Sequence, residues 1–281
     1  MSSLDLSKLL AQVTEVVERA GALLSEEWNR PDGPRGRGDK AVIDVEIEQF
    51  LRPELLSLLS CDFWGEETGH VLTGHAWCWV VDPNDGTSDF LKGLKGSAIS
   101  VGLLHNTIPV LGVVYAPVTS EGRPDCISWA EGRPHLIRNG RSVDECLDDK
   151  QLSNESMIMV SAAAVSHPEL NRELCDPGHF HAMPSIAYRL ARVAAGDGIC
   201  GVSLYAVSAH DVVGGHALLR GAGGVLLDEN GVAIRYATEA KMATVSQRCF
   251  GGSPSACREL ITREWGRVFG GTSAKDNKPD G

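Results

Sequence analysis

Apolar residues recur at helical spacing over residues 6–28 (Leu6, Leu9, Leu10, Val13, Val17, Ala20, Leu24), which predicts an amphipathic helix. The stretch 31–40 interrupts that pattern, and Arg37-Gly38-Asp39 inside it reads as a solvated turn rather than an adhesion signal. A second helix is predicted over about residues 42–59, with Ile43, Ile47, Phe50, Leu51, Leu55 and Leu58 facing inward. The period then shortens. Apolar runs of strand length at residues 63–64, 77–81, 98–104 and 110–115 are bounded by Gly, Pro and Asn. Two further strand-like pieces between Cys126 and Val143 surround Gly132 and the turn signal Asn139-Gly140. Past about residue 150, strands (157–161, 200–204, 224–227) alternate with helices (186–195, 212–220), the pattern of a layered α/β unit. The chain thus divides into an α+β half, residues 1–150, and an α/β half, residues 151–281, with a polar tail from about Thr272 expected to be disordered. His179-Phe180-His181 reads as a loop feature rather than a transition-metal site.

Composition narrows the partners. With 281 residues, 43% hydrophobic and 22% charged, the chain has the profile of a globular protein with a substantial core. A formal net charge of −11 argues against a nucleic-acid polymer or an anionic membrane as partner. An acidic protein that handles anions would do so through metal ions. The start of the chain lacks a basic-then-apolar leader and no apolar run approaches membrane-spanning length, so a cytoplasmic location is expected. Eight cysteines without a C-x-x-C pair are expected to be reduced thiols, mostly buried.

The densest chemical signal is Asp82-Pro83-Asn84-Asp85-Gly86-Thr87, directly behind the apolar run Trp77-Cys78-Trp79-Val80-Val81. It reads as a buried strand that stops on two carboxylates and turns through Pro and Gly; a plain surface turn uses the same residue types. Side chains at a strand end are held rigidly, and carboxylates brought close together call for a cation, which for oxygen ligands means Mg²⁺, Mn²⁺ or Ca²⁺. A second acidic pair lies in Trp64-Gly65-Glu66-Glu67-Thr68-Gly69. A third signal is Ser208-Ala209-His210-Asp211, before a helix that ends in Gly221-Ala222-Gly223-Gly224-Val225, where Asp211 could equally serve as a helix cap.

In this order, the three segments resemble the inositol monophosphatase superfamily of Mg²⁺-dependent, Li⁺-sensitive phosphatases, over roughly residues 5–265. The resemblance implies a layered αβαβα sandwich of the inositol monophosphatase/fructose-1,6-bisphosphatase type. It also implies two or three Mg²⁺ ions per site, with Mn²⁺ as a substitute. By the family pattern Asp82 bridges two metals, Glu66 and the Asn84 carbonyl complete one site, and Asp85 with Asp211 completes the other. The resemblance further implies that Thr87 and Glu66 orient the attacking water and that an upstream acid, Asp44 by position, polarises Thr87, although Asp44, Glu46 and Glu48 are all available on the predicted helix and Asp44 could also be an ordinary charged residue on its face. Asp85, Gly86, Thr87 and Asp211 border the substrate phosphate, with Gly86 and Thr87 as an anion hole at a helix start. Two departures stand out: Asn84 replaces the usual apolar residue, and His210 replaces the usual Trp.

Substrate choice lies outside the metal residues. Ser88-Asp89-Phe90-Leu91-Lys92 and the stretch 109–117 look more like the bacterial 3'(2'),5'-bisphosphate nucleotidase subgroup than inositol monophosphatases. In Pro184-Ser185-Ile186-Ala187-Tyr188-Arg189, Ser185 and Arg189 fall where that subgroup binds substrate, and Arg189 could clamp a second phosphate. The expected substrate is therefore adenosine 3',5'-bisphosphate or a related nucleotide. Inositol monophosphate or another small sugar or polyol phosphate is the alternative, and a catalytically silent phospho-ligand binding protein a further one. Homodimers are frequent among relatives.

Overall fold

A computed structural model describes residues 4–269. Its eight α-helices are α1 (Leu6–Trp28), α2 (Val42–Leu58), α3 (Thr87–Leu91), α4 (Pro168–Cys175), α5 (Ile186–Ala194), α6 (Ala209–Gly221), α7 (Glu239–Ala243) and α8 (Pro254–Ile261). No helix among the described residues is long and apolar enough to cross a membrane.

The elements stack as five layers around three apolar cores. Helices α1 and α2 cover one face of an eight-stranded sheet through Leu10, Val17, Ile47, Leu51 and Trp79. That sheet runs in the order Arg141–Val143, Leu136–Arg138, Asp125–Ala130, Ile108–Ala116, Ala98–His105, Trp77–Asp85, Asp62–Gly65, His70–Val71. Its pairs are antiparallel except for Asp62–Gly65, which lies parallel to Trp77–Asp85. Helices α5 and α6 form the central layer, with Tyr188, Leu190, Val212 and Leu218 in the core they share with both sheets. A mixed five-stranded sheet follows, ordered His179–Met183, Met157–Ser161, Cys200–Ser203, Cys249–Gly252, Val225–Asp228. Its far face packs on α4 and α8 through Leu174, Phe250, Cys257 and Leu260.

Helix α6 approaches the large sheet unusually closely. A Cβ on Gly102 would sit 2.5 Å from Val213 Cγ1, and one on its cross-strand partner Gly112 would sit 2.3 Å from the Gly214 carbonyl oxygen. The missing side chains let the α6 backbone rest on the strands, which sets the depth at which its N-terminal turn enters the cleft.

The expected αβαβα sandwich is present, with its two long N-terminal helices over 6–28 and 42–58. Three details differ. The strand beginning at Trp77 does not stop at the first carboxylate but continues to Asp85, with a register shift between Asp82 and Asp85. His179-Phe180-His181 is not a loop: it belongs to the edge strand His179–Met183. Helix α6 begins at Ala209, three residues earlier than expected, because Ser208 and Asp211 form a capping box. The tail from Thr272 lies outside the described residues. All eight cysteines are free, and six of them are buried.

Candidate metal centre and active site

Strand parity explains how one segment sends carboxylates into a single cleft. Cys78 and Val80 face the central helices whereas Trp79 and Val81 face α1 and α2, so Asp82 falls on the central side. Regular alternation would turn Asp85 away from that side. The bulge between Asp82 and Asp85 reverses the parity, as an extra residue in a strand does. Asn84 consequently turns to α2, donating from Nδ2 to Asp44 Oδ1 at 2.9 Å, and Asp85 returns to the central layer, where it meets Ser185. The same alternation from Trp64, a residue of the central core, carries Glu66 to that side.

One oxygen each from Asp82, Asp85 and Asp211 lie within 4.8 Å of one another, and Glu66, Asp82 and a ring nitrogen of His210 form a second trio at the same spacing. Three of the four carboxylates have one oxygen anchored to the protein. Asp85 Oδ2 accepts from Ser185 Oγ and from the Ala187 amide, both at 2.6 Å, at the start of α5. Asp211 Oδ2 accepts from the Ser208 amide at 2.5 Å, and Asp82 Oδ1 from the Asn84 amide at 2.9 Å. Anchoring one oxygen fixes the direction of the other.

The electrostatics of this group call for a cation. Unit charges about 5 Å apart repel by about 3 kcal/mol at an effective dielectric of about 20. Burial, and then the charges of Glu66, Asp85 and Asp211, hold Asp82 well above the ordinary carboxylate range. Desolvation, reinforced by the charges of Asp211, Glu67 and Asp85, pushes Glu66 up to about 8. Asp85 and Asp211 are both raised to about 6, mainly by burial. A Glu66 oxygen and an Asp82 oxygen lie within 4.8 Å of each other, so keeping both carboxylates ionised calls for a cation between them. No lysine or arginine among the described residues pairs with any of the four. The four carboxylates, as oxygen ligands, suit Mg²⁺ or Mn²⁺.

Beside the carboxylates, Thr87 Oγ1 lies 2.9 Å from both Asp44 Oδ2 and the Asn84 carbonyl. A hydroxyl has one proton to give, so it donates to one of these acceptors and keeps lone-pair capacity for a third group. Asp44 is raised to about 6 by burial, against the hydrogen bonds from Asn84 and Thr87. Gly86 precedes α3 with φ +97°, a conformation that favours glycine, and a Cβ there would lie a tight 3.2 Å from Pro184 Cβ and the Ser185 amide nitrogen.

The structure brings together Asp44, Glu66, Asp82, Asn84, Asp85, Thr87, Asp211 and Ser185. Arg189 stands apart from the clamp expected of it. It is 4% exposed and donates to the carbonyls of Pro184, Ser185 and Val202, so it braces the turn that grips Asp85 and is withdrawn from the surface where a second phosphate would be met.

Glu48 was visible only as one of several acids on α2. Fully buried, it accepts from the amides of Glu67 (2.8 Å) and Thr68 (2.7 Å) and from the Thr68 hydroxyl (2.5 Å), tying down the loop that follows Glu66. Its spacing from Asp44, one helical turn away, was the available signal. His210 is 17% exposed, and burial lowers its imidazole to about 4, so the ring is neutral at ordinary pH.

Comparison with known proteins agrees with this geometry. The chain is 28% identical over 253 residues to the probable inositol 1-monophosphatase ImpA of Mycobacterium tuberculosis, covering 84% of this chain and 88% of that one. It is also 28% identical over 239 residues to the 3'(2'),5'-bisphosphate nucleotidase CysQ of Aggregatibacter actinomycetemcomitans, covering 81% and 87%. The fold matches the inositol monophosphatase structure from Anabaena with a TM-score of 0.70 at 22% identity, over 95% of this chain and 96% of that one. Members of the family that these comparisons share are metal-dependent phosphatases acting on phosphate monoesters. Residues 5–265 match that family's sequence profile, and the chain belongs to the inositol monophosphatase family.

Proposed function

We propose that the protein is a Mg²⁺-dependent phosphatase with Asp82, Asp85, Asp211, Glu66 and the Asn84 carbonyl as metal ligands, and that it prefers adenosine 3',5'-bisphosphate or a related nucleotide. The observation that carries the metal assignment is the pair of ligand trios sharing Asp82, each compact enough to hold one ion. When bound, a pair of divalent ions lowers the pKa of an attacking water and stabilises the leaving oxygen.

The protein's own residues do the rest. Thr87, with its proton directed to Asp44 or to the Asn84 carbonyl, presents a lone pair that accepts from the water and aims it, with Glu66 on the other side. The Gly86 and Thr87 amides at the start of α3, which have no partner within the helix, receive the phosphate oxygens. Asp44 receives or returns the hydroxyl proton.

The nucleotide preference is supported by the Ser88-Asp89-Phe90-Leu91-Lys92 segment behind the anion hole. Inositol monophosphate, or another polyol phosphate, is the second reading. The internal placement of Arg189 favours it, because the expected cation for a second phosphate is withdrawn from the cleft. Phosphate release with Mg²⁺, measured as kcat/KM over bisphosphonucleotides, inositol phosphates and sugar phosphates, separates the two. A nucleotide kcat/KM no higher than that for inositol monophosphate would remove the first reading.

A further inference from the structure

We infer that His210 is a nitrogen ligand at the Glu66–Asp82 end of the centre, which makes this one position favour Mn²⁺ or Co²⁺ while the Asp82–Asp85–Asp211 position remains an oxygen site for Mg²⁺; the inference rests on the metal assignment above. His210 is the second residue of α6, and its neighbour Asp211 is held by the capping box, so the helix N-terminus delivers both side chains to one cleft. Its Nε2 lies 4.0 Å from Glu66 Oε1 and 3.9 Å from Asp211 Oδ1. Both separations are too long for a hydrogen bond. Both are nonetheless shorter than about 4.2 Å, twice a metal–nitrogen or metal–oxygen bond length of about 2.1 Å, so a single ion can touch the nitrogen and either oxygen. Asp82 closes the trio, its three ligand atoms lying within 4.8 Å of one another.

The remainder of the ring leaves Nε2 available. Nε2 is held in hydrogen bonds to neither carboxylate, at 3.9–4.0 Å, and Nδ1 is buried with no hydrogen-bond partner among the described residues, so an ion on Nε2 would leave the ring proton on Nδ1 without a protein acceptor. The position also argues against a packing role alone. An imidazole that merely filled the place of a larger ring would have no reason to direct a nitrogen at two carboxylates from a side chain only 17% exposed.

Ligand chemistry sets the consequence. Carboxylate, carbonyl and water suit Mg²⁺, Ca²⁺ and Mn²⁺ alike, whereas imidazole favours the transition metals, and affinity for a nitrogen-containing site rises from Mn²⁺ to Co²⁺. One nitrogen in an otherwise oxygen-lined site therefore separates Mg²⁺ from Mn²⁺ and Co²⁺ without changing the charge of the centre.

The test uses the full-length protein loaded with Mn²⁺ and read by pulsed electron paramagnetic resonance, with and without ¹⁵N-histidine labelling. Directly bonded imidazole is expected to give a nitrogen coupling that changes with the isotope and disappears in His210→Gln. Calorimetry should show Mn²⁺ and Co²⁺ affinity falling about tenfold or more in that variant, with Mg²⁺ affinity changing less than threefold. If Mn²⁺ binds tightly to the wild-type protein with no nitrogen coupling, the inference about His210 is overturned while the metal centre stands. If no divalent ion binds the wild-type protein, the metal assignment itself fails. Because the decisive spectrum is recorded on the unmodified protein, a poorly folding variant does not rescue the idea.

Discussion

Replacing Ser185 by Ala tests whether the grip on Asp85 positions a metal ligand or only braces α5. The Ser185 hydroxyl stands in a short relay. It accepts from the Tyr188 amide at 2.9 Å as the N-cap of α5, and donates to Asp85 Oδ2 at 2.6 Å. Its removal costs about 1 kcal/mol for the cap and about 1.5–3 kcal/mol for a buried hydrogen bond to a charged acceptor. The Ala187 amide keeps its own 2.6 Å bond to the same oxygen and limits the loss. In the metal-free protein at pH 8, above the Asp85 value of about 6, a destabilisation of about 2–4 kcal/mol is expected from urea unfolding. If the grip also aims the free oxygen of Asp85, Mn²⁺ affinity should fall by about 10- to 100-fold, the range for outer-shell partners of metal ligands. Ser185→Thr restores the hydroxyl. Its extra methyl strains a fully packed position, so it should recover affinity more completely than stability. A Ser185→Ala protein that loses stability yet binds Mn²⁺ with wild-type affinity would refute the positioning role and leave only a scaffold.

Three further outcomes follow from the same geometry. Glu48→Gln sets an amide NH₂ against a cluster of three donors at the Glu67–Thr68 turn, which should cost about 2–4 kcal/mol in urea unfolding and weaken metal binding at Glu66; unchanged stability would contradict the loop anchor. Thr87→Ala should lower kcat by about 10²- to 10⁴-fold with metal affinity held within threefold, and Thr87→Ser should restore most of the rate. A loss confined to KM would instead assign Thr87 to binding alone. In metal-free protein, Asp82, Asp85, Asp211, Asp44 and Glu66 bind protons more tightly folded than unfolded, so the stability these groups contribute is fully present below about pH 4 and is lost as pH rises through about 6, and through about 8 for Glu66, against an opposite contribution from the fewer buried imidazoles, His210 and His216. Saturating Mg²⁺ replaces those protons at the ligand carboxylates and should abolish most of the fall, and a Tm that rises with pH after chelation would count against the buried-carboxylate account.

Much of the fold was legible because burial leaves a periodic trace. The seven apolar positions over 6–28 describe α1, and the strand runs at 98–104 and 110–115 lie within Ala98–His105 and Ile108–Ala116. Elements with little periodicity were harder to read. Cys249–Gly252 is a strand of four buried residues, two of them glycine, so neither alternation nor branched side chains announce it. His179–Met183 is an edge strand with polar, half-exposed positions. The extension of Trp77–Asp85 was hidden for a different reason: proline and asparagine normally end a strand, and only the bulge allows Pro83 and Asn84 to remain within one.

For the site, local motifs showed which carboxylates matter but not what holds them. Asp85 is gripped across 100 residues of sequence by Ser185, and Tyr188 on the same helix donates to Asp125 Oδ2 at 2.7 Å in the large sheet. Asp125 and Asp197 in turn share Arg138, with each contact 2.8–2.9 Å long. No spacing rule reaches across such separations. The sequence position of Arg189 suggested a ligand clamp because its segment falls where the bisphosphate nucleotidase subgroup carries a Gly-Ser-Ser-Leu-Lys stretch, with a surface arginine as the equal alternative. Its burial depends on tertiary packing, which draws the guanidinium onto three backbone carbonyls. These links explain why the centre needs both halves of the chain. Asp82 and Asp85 come from the large sheet, Asp211 from α6, and the group that aims Asp85 from α5, so a ligand set with the right spacing exists only when the central layer is docked. Metal binding to such a set stabilises the docked arrangement by mass action, and the repulsion among its carboxylates makes the docking depend on the ion in return.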